Sequence, residues 1–193
     1  MIVLIAALCR DGAISLPWPW GVLKQDMIAF RRVTTAVDPL TAMQDLLAAP
    51  EADIRRPITD RNAIIIGRRT YESLTYPLPD RQHVLVSTTA EPPNLGPPGV
   101  TVCPSLGTAL DAALITHQAP HAFLCGGRRL YQEALDGLDV NALWLTHIDA
   151  VHPDATVRFP LLGLTDWREV ARSPDVHEPG KPLYHFSRYL PRT

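Results

Sequence analysis

Short apolar runs of strand length recur along this 193-residue chain, separated by polar segments. Each run is rich in aliphatic and β-branched residues, which is typical of buried strands. The runs occupy residues 1–8, 62–66, 83–86, 99–103, 122–125 and 142–148. Apolar residues have helical spacing between several of these runs, at 69–74, 105–117 and 128–135. This alternation predicts an α/β fold with a largely parallel sheet and helices on both faces.

The end of the chain follows a different pattern. Residues 167–172 and 183–190 have strand composition, but a polar segment with proline and glycine joins them in place of a helix. Because parallel neighbours need a crossover connection and these two strands have none, we expect an antiparallel hairpin at the end of the sheet.

Residues 35–61 predict an additional helix before the second strand. Asp38 and Pro39 suit the N-cap and the first helical position, and Pro50 stops the helix. One face of this helix is apolar and consists of Leu40, Met43, Leu46 and Leu47. We interpret the segment as an insertion that packs on the surface of the domain, and we favour a structural role over a partner-binding one.

A carboxylate interrupts the apolar face of the helix predicted after residue 21. At about 100° per residue, the side chains within about 60° of Asp26 are otherwise apolar, whereas nearby basic side chains point away. The apolar set is Val22, Leu23, Ala29, Phe30 and Val33, and the basic set is Lys24, Arg31 and Arg32. A buried carboxylate needs a hydrogen-bond partner or takes up a proton. Asp26 is therefore either a structural acid or an acid usable near neutral pH.

Composition narrows the class of protein. With 46% hydrophobic and 20% charged residues and no linker-like stretch, we expect one globular domain over residues 1–193. The formal net charge of −2 gives no general attraction to nucleic acid or to membrane surfaces. Residues 1–8 are too few to span a bilayer and lack the features of a signal peptide. We expect a cytoplasmic protein that binds neither nucleic acid nor membrane.

The cysteines and histidines argue against a disulfide framework and against a metal site. Cys9, Cys103 and Cys125 have no paired spacing and are odd in number, which fits a reducing cytoplasm. The seven histidines are scattered, and no two of them combine helical i, i+4 spacing with a neighbouring acid. We therefore expect no bound metal ion.

Two junctions between a predicted strand and a predicted helix have the features of anion sites. Residues 126–129 (Gly-Gly-Arg-Arg) form one junction, residues 67–70 (Gly-Arg-Arg-Thr) form the other, and residues 87–88 (Ser-Thr) close a third strand. Glycines let the backbone approach a phosphate, a helix N-terminus offers free N–H groups, and arginine forks suit a 2′-phosphate. A tight turn and solvated arginines would explain either junction alone. The occurrence of both favours a nucleotide site.

Three further features suit a ligand pocket. Arg81 follows a proline-rich turn and precedes a strand, so its side chain is either a carboxylate ligand or an ordinary surface arginine. Thr146 lies in the strand predicted at 142–148, where its hydroxyl can face the core and satisfy a buried acid. Trp18 and Trp20 each adjoin proline and predict a stiff aromatic loop over a pocket.

These residues, in this order, resemble the dihydrofolate reductase family over nearly the whole chain. The matching segments are Ile5-Ala6-Ala7-Leu8, Pro19-Trp20, Asp26-Met27-x-x-Phe30, Thr34, Gly67-Arg68-Arg69-Thr70-Tyr71-Glu72-Ser73, Pro77-Leu78-Pro79-x-Arg81, Gly126-Gly127 with Tyr131, Leu145-Thr146-His147-Ile148-Asp149, and Phe159-Pro160. The segments are short individually and specific together. The resemblance implies a mostly parallel eight-stranded sheet with flanking helices. It also implies a monomeric enzyme that reduces dihydrofolate to tetrahydrofolate with NADPH.

By this resemblance Asp26 is the pocket acid. It would bind the 2-amino and N3 side of the pterin and promote protonation of N5 while hydride reaches C6. Thr146 resembles the hydroxyl bonded to this acid, and Trp20 resembles the loop tryptophan that holds a water near the substrate. Trp18 is an alternative match, and we prefer Trp20 because it preserves the spacing to Asp26.

The resemblance also implies two sets of contacts. The substrate-binding residues are Ile5, Ala6, Met27, Phe30, Leu74, Arg81, Cys125 and Tyr131, with Arg81 paired to the glutamate α-carboxylate. The NADPH-binding residues are Ala7, Ile14, Arg68, Arg69, Thr70, Ser87, Thr88, Gly126, Gly127, Arg128, Arg129 and Leu130. By the same analogy, the peptide bond between Gly126 and Gly127 is expected to be cis.

Several positions depart from the family pattern. The loop between Ile14 and Trp20 is shorter than usual, and Ser15 stands where a glycine is expected. Arg128 replaces a small residue, and Tyr76 stands where a basic residue sometimes helps to bind the glutamate tail. The alternative functions are reduction of another pterin or of a riboflavin-pathway pyrimidine by the same fold, and non-catalytic binding of folate or nucleotide.

Overall fold

A mixed sheet of eight strands organises the chain in the computed structural model, which describes residues 1–14, 20–74, 77–88 and 99–192. The strands are β1 (Ile2–Cys9), β2 (Ala63–Gly67), β3 (Gln82–Val86), β4 (Val100–Cys103), β5 (Ala122–Leu124), β6 (Ala142–Ile148), β7 (Trp167–Arg172) and β8 (Tyr184–Pro191). Their order across the sheet is β4-β3-β2-β5-β1-β6-β8-β7. All neighbours from β4 to β6 are parallel, as the alternation of strands and helices predicted.

Five α-helices flank the sheet within the described ranges. They are α1 (Lys24–Thr35), α2 (Pro39–Ala48), α3 (Arg68–Glu72), α4 (Leu106–Asp111) and α5 (Arg128–Gly137). A π-helical turn (Ala112–Thr116) extends α4, and a 3-10 helix (Leu161–Asp166) precedes β7. The helices predicted from spacing are therefore present, with shifted ends. None of the helices described has the length and apolar character needed to cross a bilayer.

The central strand β1 shows why both faces of the sheet must be covered. Leu4 and Leu8 belong to one hydrophobic cluster, whereas Val3 and Ile5 belong to another. Successive side chains of a strand point to opposite faces, so an uninterrupted apolar strand needs a core on each side. Residues of α4 and α5 complete the first cluster, and residues of α1 and α2 complete the second.

The predicted C-terminal hairpin is confirmed. The β7 and β8 strands pair antiparallel, with a register shift between Glu169 and Ala171, and β8 also pairs antiparallel with β6. The ring of Trp144 in β6 stacks on that of Phe186 in β8, with centroids 5.5 Å apart. The hairpin therefore joins the parallel part of the sheet through β8 and an aromatic contact.

The α1 helix starts later than its apolar pattern suggested. It begins at Lys24, its N-cap is the buried Leu23, and Val22 lies before the helix with 61% of its surface exposed. The placement of Val22 on the buried face was wrong, because helical periodicity has no meaning outside the helix. Ala29 and Val33 are buried as predicted.

The helix predicted within residues 35–61 is α2, which has buried side chains in the core and exposed side chains on the surface. Its N-cap is Asp38, whose carboxylate accepts hydrogen bonds from the backbone of Leu40 (3.1 Å) and Thr41 (3.2 Å), as capping residues do. Met43 and Leu46 enter the same hydrophobic cluster as α1. The placement of Leu40 on the buried face was wrong, since its side chain is 41% exposed.

Asn62 fastens the end of α1 to the sheet. This fully buried residue directly precedes β2, and its Nδ2 donates to the carbonyls of Thr34 (3.0 Å) and Ala36 (2.9 Å). The last carbonyls of a helix have no partner within the helix. Asn62 therefore supplies partners for the C-terminal end of α1 and fixes its distance from the sheet.

We expect Asn62→Ala to lower the free energy of unfolding by roughly 2 to 3 kcal/mol, because it leaves buried carbonyls unpaired and opens space in the core. Asn141→Ala is the matched control, since the Asn141 side chain accepts a hydrogen bond from the Ile2 N–H (2.6 Å) at an exposed position. This control should cost about 1 kcal/mol or less. Urea unfolding of both variants measures the difference, and equal losses would contradict the assignment.

Candidate active site

A hydrogen bond between Asp26 and Thr146 forms the centre of the candidate site. Asp26 lies in the first turn of α1 and is 8% exposed, and Thr146 lies buried in β6. The Thr146 hydroxyl donates to Asp26 Oδ1 over 2.6 Å. The sequence placed an acid and a hydroxyl on core-facing positions of two elements, and the fold brings them into contact across 120 residues.

Burial controls the protonation of this acid. Removal from water raises the pKa of Asp26 from 3.8 to about 6, with an opposing effect from the Thr146 hydrogen bond and a further increase from the negative charge of Glu178. A carboxyl group with a pKa near 6 can exist in both protonation states close to neutral pH. It can therefore exchange a proton with a bound molecule.

Residues of β1 and α5 adjoin this acid. Ala7 pairs with Thr146 across the sheet, and the neighbouring Ala6 and Ile5 are buried in β1. The Tyr131 hydroxyl of α5 donates to the Ile5 carbonyl over 2.9 Å. Four of the predicted ligand-contacting residues thus lie together beside the acid.

Arg81 lies beside the other end of α1. Its guanidinium donates to the Thr34 hydroxyl (2.9 Å) and to the Pro79 carbonyl (2.9 Å), and it lies 5.7 Å from the centre of the Phe30 ring. It is buried, so the interpretation of Arg81 as an ordinary surface arginine was wrong. Met27 and Phe30 follow Asp26 on α1 and are partly buried.

Leu74 and Cys125 meet at a small cluster between β2 and α3. Both are partly buried and pack against the cluster of Ile66, Tyr71 and Leu85. Burial raises the pKa of the Cys125 thiol, so this side chain is a neutral apolar group near neutral pH. The predicted substrate-contacting residues therefore lie on α1, β1 and α5, shortly after α3 and directly after β5, with Arg81 directly before β3.

The two glycine junctions, predicted separately from the sequence, lie side by side. The Gly67 N–H donates to the Gly126 carbonyl over 2.7 Å, and a side chain at Gly127 would lie 3.3 Å from Thr70 Oγ1. The Gly126-Gly127 peptide bond is cis, as expected. Gly126 has a φ of +102°, and a Cβ there would lie 2.9 Å from the Tyr131 hydroxyl, so only glycine suits this position.

Four exposed arginines directly follow these junctions in the chain. Arg68 and Arg69 open α3, and Arg128 and Arg129 open α5. Arg68 lies 3.4 Å from Glu72 in a partly exposed ion pair. Arginines at helix starts give this edge the positive charge that phosphate groups need.

The remaining predicted cofactor contacts occupy different environments. Ser87 is buried directly after β3 and its N–H donates to the Cys103 carbonyl (2.9 Å), whereas Thr88 is exposed. Leu130 is buried in the hydrophobic cluster under α5. Ile14 is partly buried, and its N–H donates to the Val157 carbonyl over 3.1 Å. The β3 strand is the parallel neighbour of β2, so Ser87 and Thr88 lie at the same edge of the sheet as the glycine junctions.

Trp20 is buried where the chain enters α1. Its carbonyl accepts a hydrogen bond from Lys181 Nζ (3.2 Å), and its ring centre lies 6.0 Å from that of His152. Trp18 and the departures at Ser15 and Tyr76 lie outside the described residues. The choice between the two tryptophans is therefore still a prediction.

Sequence reasoning missed Glu178 and Tyr184. The Glu178 carboxylate accepts the backbone N–H groups of Lys24 (2.9 Å) and Gln25 (2.8 Å) and the Tyr184 hydroxyl. Both residues therefore contact the turn that carries Asp26. An acid in a polar connector gives no local signal of such a contact, which spans more than 150 residues.

A cavity of about 660 Å³ lies between α1, α2 and residues 53–58, and none of the predicted site residues lines it. Its arginines pair with acids: Arg32 lies 3.1 Å from Asp53, and Arg56 lies 2.7 Å from Asp45. We assign no ligand to it.

Among the residues described, no group of three or more His, Cys, Asp or Glu side chains is placed to hold a metal ion.

Comparisons with known proteins agree with this fold. The dihydrofolate reductase family model matches residues 48–190. A dihydrofolate reductase type 3 of Salmonella typhimurium is 40% identical over 124 residues, which cover 63% of this chain and 71% of that protein. The dihydrofolate reductase of Drosophila melanogaster is 30% identical over 179 residues, which cover 90% of this chain and 86% of that protein. The chain belongs to the dihydrofolate reductase family.

We expect ionisation of Asp26 to destabilise the folded protein. Its pKa is raised from 3.8 to about 6 by folding, so the native state keeps a proton that the unfolded state releases. The free energy of unfolding should therefore fall as the pH rises from about 4 to about 6. At about 1.4 kcal/mol per pH unit, this difference is worth about 3 kcal/mol.

Asp26→Asn should remove this pH dependence, so its stability relative to wild type should increase between about pH 4 and about pH 7. Urea unfolding at both pH values measures the effect. Asp60→Asn, at an exposed acid, is the control and should follow the wild type. A parallel pH dependence in wild type and Asp26→Asn would contradict the assignment of a raised pKa to Asp26.

Proposed function

We propose that this protein reduces 7,8-dihydrofolate to 5,6,7,8-tetrahydrofolate with NADPH. The observation that carries the proposal is the buried Asp26, hydrogen-bonded to Thr146 and with a pKa raised to about 6. Membership of the dihydrofolate reductase family supports the same reaction. An acid of this kind suits a substrate that presents N–H donors and must gain a proton.

Asp26 has two roles in this proposal. Its carboxylate accepts hydrogen bonds from the 2-amino group and N3 of the pterin, and its protonated form promotes protonation of N5. Thr146 holds the carboxyl group in one orientation, which fixes the position of the pterin edge. Because Asp26 is buried, little solvent competes for these hydrogen bonds. Trp20, buried at the start of α1, holds a water near the substrate in this proposal.

The pocket for the rest of the substrate follows from the same arrangement. Ile5, Ala6, Met27, Leu74, Cys125 and Tyr131 would contact the pterin and the benzoyl group. Phe30 would contact the benzoyl group next to Arg81, and Arg81 would pair with the glutamate α-carboxylate. The hydrogen bonds from Arg81 to Thr34 and Pro79 support this role, because they orient the guanidinium before a ligand arrives.

The residues at the glycine junctions fit a phosphorylated dinucleotide. Position 126 has room only for glycine, because a Cβ there would meet the Tyr131 hydroxyl. A glycine backbone can approach a phosphate closely, and exposed arginines begin the two helices that follow the junctions. Gly126, Gly127, Thr70 and Ser87 would hold NADPH phosphates, with Arg68 and Arg69 at the 2′-phosphate and Arg128, Arg129 and Thr88 beside them. Ala7, Ile14 and Leu130 would contact the nicotinamide half. NADPH, when bound, supplies the hydride for C6.

The proposal extends to the organisation of the protein. We propose one domain over residues 1–193 that acts as a cytoplasmic monomer. The joining of all eight described strands in one sheet supports the single domain. The free cysteines Cys9, Cys103 and Cys125 support a reducing compartment.

We expect Asp26→Asn to reduce turnover of dihydrofolate at neutral pH on the order of a hundredfold or more, because an amide cannot exchange the proton. Oxidation of NADPH, followed by absorbance, measures turnover, and fluorescence titration measures NADPH binding, which should be unchanged. Asp60→Asn is the control. Unchanged turnover in Asp26→Asn would refute the role of Asp26, and NADPH binding without turnover in the wild type would indicate another substrate or a binding protein.

Replacing both Arg68 and Arg69 by Ala should weaken binding of NADPH on the order of tenfold or more and leave binding of NADH nearly unchanged. The reason is that only NADPH carries the 2′-phosphate that these guanidinium groups are proposed to bind. Fluorescence titration with each nucleotide measures both affinities. An exposed pair elsewhere, Arg55 and Arg61 changed to Ala, controls for the loss of two charges. Equal weakening of NADPH and NADH would contradict the assignment.

A further inference from the structure

The helix that carries Asp26 has no cap from its own sequence. The N-cap of α1 is Leu23, which makes no side-chain hydrogen bond to the helix. The free N–H groups of Lys24 and Gln25 donate instead to the two carboxylate oxygens of Glu178, at 2.9 and 2.8 Å. One carboxylate from a remote segment therefore satisfies two consecutive amides immediately before Asp26.

Tyr184 extends this contact to Asp26 itself. It is the first residue of β8, it is buried, and its hydroxyl donates to Glu178 Oε1. Its phenol oxygen also lies against the backbone N–H of Asp26. Glu178 and Tyr184 together contact the amides of residues 24, 25 and 26, so the connector between β7 and β8 and the start of β8 both hold the first turn of α1.

We propose that Glu178 is a positioning residue for Asp26, holding the first turn of α1 against β8 so that the Asp26 carboxyl stays beside Thr146, and adding a fixed negative charge next to the acid. This inference rests on the proposed function, because it assigns Glu178 a part in the proton exchange of Asp26. Glu178 acts through Asp26 and is given no contact with substrate.

The charges around Asp26 support an effect of Glu178 on its proton. Burial raises the pKa values of Tyr131 and Tyr184, the titratable neighbours from α5 and β8, so both are neutral near neutral pH. Burial also opposes ionisation of Glu178. Hydrogen bonds from Tyr184 and the two amides, together with Lys181, outweigh it and lower the pKa of Glu178. Glu178 is therefore an anion that disfavours a second negative charge on Asp26.

The decisive variant is Glu178→Gln, which keeps the size and an oxygen acceptor but removes the charge. Turnover should fall with rising pH as Asp26 loses its proton. In Glu178→Gln we expect the midpoint of this fall to move down by roughly half a pH unit, or roughly a threefold lower turnover on the alkaline side. Glu178→Asp, which restores the charge, should return the midpoint toward wild type. Glu51→Gln, at an exposed acid, should leave both midpoint and rate unchanged.

A second readout is independent of turnover. Carbon-13 NMR of protein labelled at the aspartate carboxyl groups measures the pKa of Asp26 directly, and the spectrum of Asp26→Asn identifies its signal. The Asp26 pKa should be lower in Glu178→Gln than in wild type. If wild type fails to reduce dihydrofolate, the proposed function is wrong, and this titration still tests the inference.

Three outcomes would overturn the positioning role. The first is an identical Asp26 pKa and pH profile in wild type and Glu178→Gln. The second is a shift of equal size in Glu178→Asp, which would show that the loss of packing, rather than charge, is responsible. The third is an equal shift in Glu51→Gln.

Glu178→Ala removes charge and cap together and should lower kcat more than it changes KM. If it does not fold, the Gln and Asp variants still decide the question.

Discussion

The structure around the candidate site depends on the burial of one carboxylate. Asp26 is removed from water and accepts a hydrogen bond from the Thr146 hydroxyl, 2.6 Å away. Desolvation raises its pKa to about 6, so the fold keeps an acid that is costly to ionise. Two features of the fold make this contact possible. The strand that carries Thr146, β6, lies inside the sheet between β1 and β8. The helix that carries Asp26, α1, packs on one face of the sheet together with side chains of β6.

The position of α1 is fixed at both ends by residues distant in sequence. Asn62, directly before β2, donates to the carbonyls of Thr34 and Ala36 at the C-terminal end. Glu178, in the connector between β7 and β8, accepts the amides at the N-terminal end. Two polar contacts from opposite parts of the sheet thus hold a helix whose own sequence supplies no N-cap. This arrangement limits the movement of Asp26 relative to β6.

The edge of the sheet that carries the two glycine junctions follows from the parallel topology. Parallel strands end at the same edge of a sheet, and the loops that leave β2, β3 and β5 gather there. Gly67 and Gly126 come within hydrogen-bonding distance, and exposed arginines open the two helices that follow. The α2 helix packs against α1 and β8 and adds Met43 and Leu46 to the hydrophobic cluster that α1 also completes.

The sequence by itself determined the strand and helix pattern, the C-terminal hairpin and the anomaly of Asp26, because apolar periodicity and turn residues are local properties. It misplaced Val22 and Leu40, since periodicity alone does not show where a helix begins or how far its buried face extends. Only the tertiary structure decided that Arg81 is buried, that the two glycine junctions touch, and that Glu178 and Tyr184 contact the turn of Asp26. These contacts join residues far apart in the chain, and the packing of the sheet against its helices, rather than any local preference, brings them together.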